Sequence, residues 1–206
     1  MATKVWLISH AANADLRAGV LATEAGSDEG VETALDARAI AAVEAWRTRW
    51  QALIAGSGDA ARVLTSPAPV ARASARAAGF DAQIEHALAD TAFGAWAGCR
   101  LNDIAQHAPE ALAAWTRDPS FQPPGGGESF DDVRKRVGAW LDALPEAENK
   151  DNAPVIAFTH ASVIRAAVLH ALGAPSATFR QLEIAPLSVT TLRRSAQGWV
   201  WVAATA

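Results

Sequence analysis

The chain has 206 residues, half of them apolar and 19% charged, with a net charge of -4. That is the composition of an ordinary folded protein with a substantial core, and it offers no basic stripe for nucleic acid. A single cysteine, Cys99, rules out an intrachain disulfide and reads as a small hydrophobe, and no apolar run approaches the ~20 residues that span a bilayer.

Lys4 is followed by only a few apolar residues before Ser9 and His10, too few for a signal-peptide core, so a cytoplasmic location is expected. Val5 to Ile8 is a short apolar run, the pattern of a strand buried on both faces. A polar stretch around Gly19, Gly26 and Gly30 follows. Leu35, Ala39, Ala42, Val43 and Trp46 then recur at helical spacing, continued by Trp50 and Ile54, and predict a helix over about Ala34 to Ile54, closed by Gly56-Ser57-Gly58.

Arg62 to Thr65 reads as a second buried strand stopped by Ser66-Pro67, which opens a helix. The Ala-rich run from Val70 to Ala78 is helical with Gly79 as its stop, and a short strand is expected near Gln83 to Leu88. A helix is predicted from Leu101 to Trp115, and Pro123 to Gly127 is a loop. Ser129 fits the N-cap of a helix carrying Val133, Val137, Trp140, Leu141 and Leu144 on one face. Val155 to Phe158 is a strand, Ser162 to Leu172 a helix ended by Gly173, and Ser188 to Arg194 with Trp199 to Val202 a hairpin around Ala196-Gln197-Gly198. Strand-helix alternation predicts an α/β three-layer sandwich: a mostly parallel central sheet with helices on both faces. We read residues 1–206 as one domain, with 90–127 as an insertion on the substrate side. Trp96, Trp115 and Trp140 read as packing residues.

Two strands end alike. Val5 to Ile8 runs into Ser9-His10-Ala11, and Val155 to Phe158 into Thr159-His160-Ala161. Open α/β sheets hold ligands beyond the carboxyl ends of their strands, so the two histidines are expected to share one site. His86, His107 and His170 lack that setting. Ser66-Pro67 reaches the same edge, where free helix N–H groups attract anions.

Five motifs in order resemble the histidine phosphatase superfamily, the phosphoglycerate-mutase-like proteins. Leu7 to Ala11 resembles the strand that ends in Arg-His-Gly, and Thr65-Ser66-Pro67 through Ala75 the Ser-Pro-x-x-Arg-Ala helix start. Leu88 to Gly98 is similar to Leu-x-Glu-x-x-Phe-Gly-x-Trp-Glu-Gly. Gly126-Gly127-Glu128-Ser129 with Arg136 resembles the Gly-Gly-Glu-Ser loop and its downstream arginine, and Phe158 to Arg165 the His-Gly-Gly-x-Ile-Arg segment. The resemblance implies phosphomonoester hydrolysis without metal or cofactor, in which His10 carries the phosphoryl group covalently. It also implies Asp90 as general acid in place of the usual glutamate, His160 as the second pocket histidine, and Ser9, Asn13, Ser66, Ala161 and Ser162 around the phosphate.

The departures are specific. Ser9 and Val70 stand where the family has pocket arginines, Asn13 replaces a threonine, and alanines stand at 11, 97 and 161 where the motifs have glycine, glutamate and glycine. Each arginine would have gripped phosphate with a charged fork, and loss of one such donor costs about 3–4 kcal/mol of transition-state stabilisation. Arg72 and Arg76 point away from the direction of Val70, whereas Arg17, in the loop after the first strand, is a candidate replacement. Arg165 is expected to support the structure or the pocket rim.

Two readings stay open. One is a phosphatase of weak or atypical activity acting on a small phosphorylated molecule, supported by His10, His160 and an acid at 90 in register. The other is a family member that no longer catalyses and binds a ligand or protein, supported by Ser9 and Val70 together. No G-x-S-x-G elbow, Rossmann or P-loop glycine signature is present, which argues against a serine hydrolase or a nucleotide binder. No nucleic-acid or membrane partner is expected, and the oligomeric state is open.

Overall fold

The computed structural model of the chain describes residues 3–23, 31–32, 34–56, 61–145 and 154–203, with side chains left undescribed at 51–56. Strands β1 (Lys4–Ser9), β2 (Arg62–Thr65), β3 (Gln83–Ile84), β4 (Val155–Thr159), β5 (Val189–Ser195) and β6 (Gly198–Val202) form one sheet in the order β3-β2-β4-β1-β5-β6. β3, β2, β4 and β1 run parallel, while β5 and β6 pair antiparallel at the far edge as the expected hairpin.

Both faces are covered, and the side-chain alternation of the strands shows how. Val5, Leu7, Val155 and Ala157 pack with helices α6 (Phe130–Ala143) and α7 (Ala161–Ala171). Trp6, Ile8, Ile156 and Phe158 point to the other face, against α2 (Ala37–Gly56) and α3 (Pro69–Ala77). A strand apolar on both sides satisfies both layers, which is why these runs do not alternate with polar residues. The helices α1 (Ala14–Arg17), α4 (Leu101–His107) and α5 (Pro109–Trp115) lie outside those layers. Leu21, Phe93, Trp96 and Ile104 form a separate small apolar cluster with Trp115 and Phe121 against it. Among the described residues no helix is long and apolar enough to cross a membrane.

Four local expectations are corrected. The helix expected from Leu101 to Trp115 is two, because Pro109 has no N–H to give and forces Ala108 out of helical geometry (φ -144°, ψ 56°). α2 starts at Ala37, since the Asp36 carboxylate caps it by accepting from the Ala39 N–H at 3.0 Å. Helix α3 begins at Pro69, one residue before the expected Val70, so Ser66-Pro67 precedes the helix and does not open it. The strand near Gln83 to Leu88 keeps only two residues, because Glu85 accepts from the Ala87 N–H and starts a 3₁₀ turn over His86–Leu88. Gly26, Gly30, Ser57 and Gly58 lie outside the described residues.

Candidate active site

Register brings the site together. β1 and β4 are parallel with Ser9 opposite Thr159, so His10 and His160 leave the sheet side by side. β2 adds Ser66 from the other side of β4, with the Ser66 N–H bonded to the Phe158 carbonyl at 2.9 Å. The imidazole centroids of His10 and His160 are 4.9 Å apart at an interplanar angle of 65°.

His10 is fixed at one nitrogen. Its Nδ1 lies 2.8 Å from the Ala11 carbonyl oxygen, which can only accept, so Nδ1 carries the proton. The Nε2 lone pair is left unprotonated at the wall of a cavity of about 380 Å³. The Ala11 N–H donates to Ser74 Oγ at 3.0 Å, and Ser74 Oγ donates to the Val70 carbonyl at 2.7 Å, tying the residue after His10 to α3. Burial, reinforced by neighbouring His160, lowers the His10 pKa from 6.5 to about 4, although the Ala11 carbonyl and Asp90 favour the charged form. At neutral pH the ring is therefore uncharged.

His160 is the N-cap residue of α7 and only 2% exposed. Its Nε2 is 2.7 Å from Ser66 Oγ, which is itself fully buried and accepts from the Ala68 N–H at 3.1 Å. His160 Nδ1 is 3.2 Å from Asp90 Oδ2, close enough for ionic attraction but off the line of a hydrogen bond. Asp90 Oδ1 accepts from Ser162 Oγ at 2.7 Å and the Thr91 N–H at 2.8 Å. Burial opposes charge on Asp90, but His160, the Ser162 hydroxyl and the Thr91 N–H outweigh it and hold the carboxyl well below its ordinary range. Asp90 is a carboxylate at neutral pH.

The other expected residues divide. Asn13 lines the cavity, but its Oδ1 is occupied capping α1 through the Leu16 N–H at 3.0 Å. Ser9 is buried at the end of β1, with its backbone bonded to Ser188 and Leu187, and Ala161 opens α7 beside His160. Val70 stands in the cavity wall. Arg17 does not join that wall: its guanidinium is held instead by the Asp36 carboxylate and the Ala12 carbonyl. Arg76 pairs with Glu32. Among the described residues lining the cavity there is no lysine or arginine, while Asp15 and Asp90 both contribute carboxylates.

Sequence reasoning missed the part played by Arg136. From α6 its Nη1 donates to the Ala87 carbonyl at 2.8 Å, and its Nη2 to the carbonyls of Ala89 and Asp90 at 2.9 and 3.0 Å. Nε donates to Glu128 Oε1 at 2.7 Å. The Gly-Gly-Glu-Ser loop thus holds an arginine that fixes the backbone carrying Asp90. Its position eight residues after Glu128 was the available signal. Ser74, one turn after Val70, was likewise overlooked.

Two histidines and a carboxylate beyond the ends of a mostly parallel sheet define a site of the histidine-phosphatase kind. Residues 6–206 match the histidine phosphatase superfamily (branch 1), and the chain belongs to that family. It is 34% identical over 142 residues to the bifunctional protein Rv2228c of Mycobacterium tuberculosis, a match covering 66% of this chain and 38% of that protein. The chain thus spans well under half the length of the curated relatives it matches. Its fold is similar to that of a putative alpha-ribazole-5'-P phosphatase from Escherichia coli, with a TM-score of 0.79 at 21% identity over 100% of this chain and 97% of the other. A mycobacterial glucosyl-3-phosphoglycerate phosphatase gives 0.69 at 20% identity, over 98% and 97% of the two chains.

Proposed function

We propose that the protein is a phosphomonoesterase of low turnover that works through phospho-His10. The observation that carries this reading is the His10 ring: Nδ1 protonated and pinned to Ala11, Nε2 unpaired at the cavity wall, and burial keeping it neutral. In this reading Nε2 attacks phosphorus, the P–O bond to the leaving group breaks, and the leaving oxygen takes a proton. Asp90 keeps the acid role read from the sequence, but as a carboxylate at neutral pH it relays the proton only as one member of the pair it forms with His160, 3.2 Å away. Water then attacks phospho-His10, the phosphorus–nitrogen bond breaks, inorganic phosphate leaves, and the proton of water returns to the Asp90–His160 pair. Low turnover follows from the walls. A phosphate dianion entering the cavity meets two carboxylates and no lysine or arginine among the described lining residues, so its equatorial oxygens lack charged donors.

The same absence favours a second reading, a family member that binds a ligand or protein without turning it over. Hydrolysis of an aryl phosphate across pH 5 to 8, beside a His10→Ala variant, separates the two. Slow hydrolysis that vanishes in the variant, with label retained on histidine after rapid quenching, is the expected result. Equal background rates for both proteins would overturn the enzymatic reading.

A further inference from the structure

A second cavity, of about 250 Å³, lies behind the carboxylate of Asp90, and Thr91 and Ser162, which both hydrogen-bond that carboxylate, form part of its wall. It also receives two arginines, Arg165 from α7 and Arg180 from the 3₁₀ segment Ser176–Gln181. We propose that this cavity is a binding site for a small molecule bearing one anionic group on an aromatic body, separate from the His10 pocket.

The case begins with Arg165. Its Nε donates to the Leu182 carbonyl at 2.7 Å, and its two terminal nitrogens have no acceptor among the described residues. Burial lowers its pKa against the opposing pull of Glu183, so the charge is partly stripped of water. Arg136 shows how this protein satisfies a half-buried guanidinium when the purpose is structural: two bonds to Glu128 and three to carbonyls. Arg165 has one. A guanidinium keeps its charge, and the two terminal nitrogens of Arg165, which are not among the buried unpaired atoms, face the cavity as an open fork that a carboxylate, sulfonate or phosphate can enter. Arg180 is exposed at the same cavity, has no partner among the described residues, and adds a second cation. The one acid on the wall, Asp118, accepts from the N–H and hydroxyl of Ser120 at 2.9 and 2.7 Å through Oδ1 alone, and its single negative charge is outnumbered by the two arginines.

The apolar half of the site is already built. Phe130 and Phe179 stack at 4.8 Å and 26°, one on α6 and the other beside Arg180. Trp115 and Phe121 also line the cavity, each braced against Trp96 at 6.1 and 5.9 Å. Rings held in place by neighbours accept a flat apolar body at little ordering cost, while the two arginines select the charge it carries.

The test uses 8-anilinonaphthalene-1-sulfonate, an aromatic sulfonate with no phosphoryl group to react at His10, titrated by calorimetry and fluorescence. Binding should be saturable, one per chain, and unchanged by vanadate or by His10→Ala. Arg180→Glu, at an exposed position that leaves folding intact, should weaken it at least tenfold, and Arg165→Gln by a similar factor. Absence of stoichiometric binding, affinity undiminished in Arg180→Glu, or loss of binding in His10→Ala would each overturn the proposal.

Discussion

Arg136 holds Asp90 by its backbone: Nη2 reaches the Asp90 carbonyl at 3.0 Å and the Ala89 carbonyl at 2.9 Å, while the same guanidinium is gripped by Glu128. The side chain is 24% exposed and that of Glu128 19%, so both charges are mostly withdrawn from water. Arg136→Ala leaves Glu128 unpaired and three carbonyls without a donor. The expected loss of stability is about 2–4 kcal/mol in denaturant unfolding. Arg136→Lys should recover little, because a single ammonium cannot reproduce the fork.

His10 should titrate far from an ordinary histidine. Its NMR signals are expected to report a neutral ring from pH 7 down to about 5, with a midpoint near 4. The linked effect on stability has a definite sign. Unfolded His10 takes up its proton near 6.5 and folded His10 near 4, so unfolding binds a proton in between and stability falls as pH drops across that window. His10→Gln should flatten this slope. The depressed Asp90 pKa contributes stability above the unfolded value of 3.8 that is lost as pH falls below it, outside the His10 window.

Restoring charge to the cavity should strengthen anion binding. Val70 already stands in the wall, and Val70→Arg should raise vanadate affinity about tenfold, the yield of one charge-assisted hydrogen bond. Adding Ser9→Arg should raise aryl phosphate hydrolysis a further ~100-fold. A folded double variant with neither gain would show that positions 9 and 70 are not what limits the site.

Ser66→Ala removes the partner of His160 Nε2 and the acceptor of the Ala68 N–H, both buried. Leaving such groups unpaired costs about 1–3 kcal/mol, measurable by chemical denaturation. Ser66→Thr keeps the hydroxyl and should lose less.

Gly94 sits at φ +55°, where a Cβ would meet the Pro124 carbonyl oxygen at 2.4 Å and the Gly127 nitrogen at 2.7 Å. Contacts of that kind involve backbone on both sides and leave nothing flexible to yield. Gly94→Ala is expected to cost about 3 kcal/mol and to loosen the Gly-Gly-Glu-Ser loop, read as faster proteolysis between 123 and 128.

The layers and the edge of the sheet are legible in local sequence. Apolar runs of four residues, each followed by a hydroxyl residue and histidine, are local signals, and strand pairing turned them into neighbours as expected. Helix caps depended on one side chain or one missing N–H: Asp36 sets the start of α2 three residues after the expected Ala34, and Pro109 breaks the helix expected from Leu101 to Trp115. What each polar group at the edge does depends on contacts between distant segments. His160 became a residue shared by Ser66 and Asp90 because β2 and the 3₁₀ turn after β3 converge on β4. Arg17 was claimed by Asp36, nineteen residues away in sequence, and Arg136 by carbonyls nearly fifty residues upstream. The reason is physical: hydrophobic periodicity is written in adjacent residues, whereas an ionisable side chain takes its role from whichever donors, acceptors and charges the fold brings within about 3 Å of it.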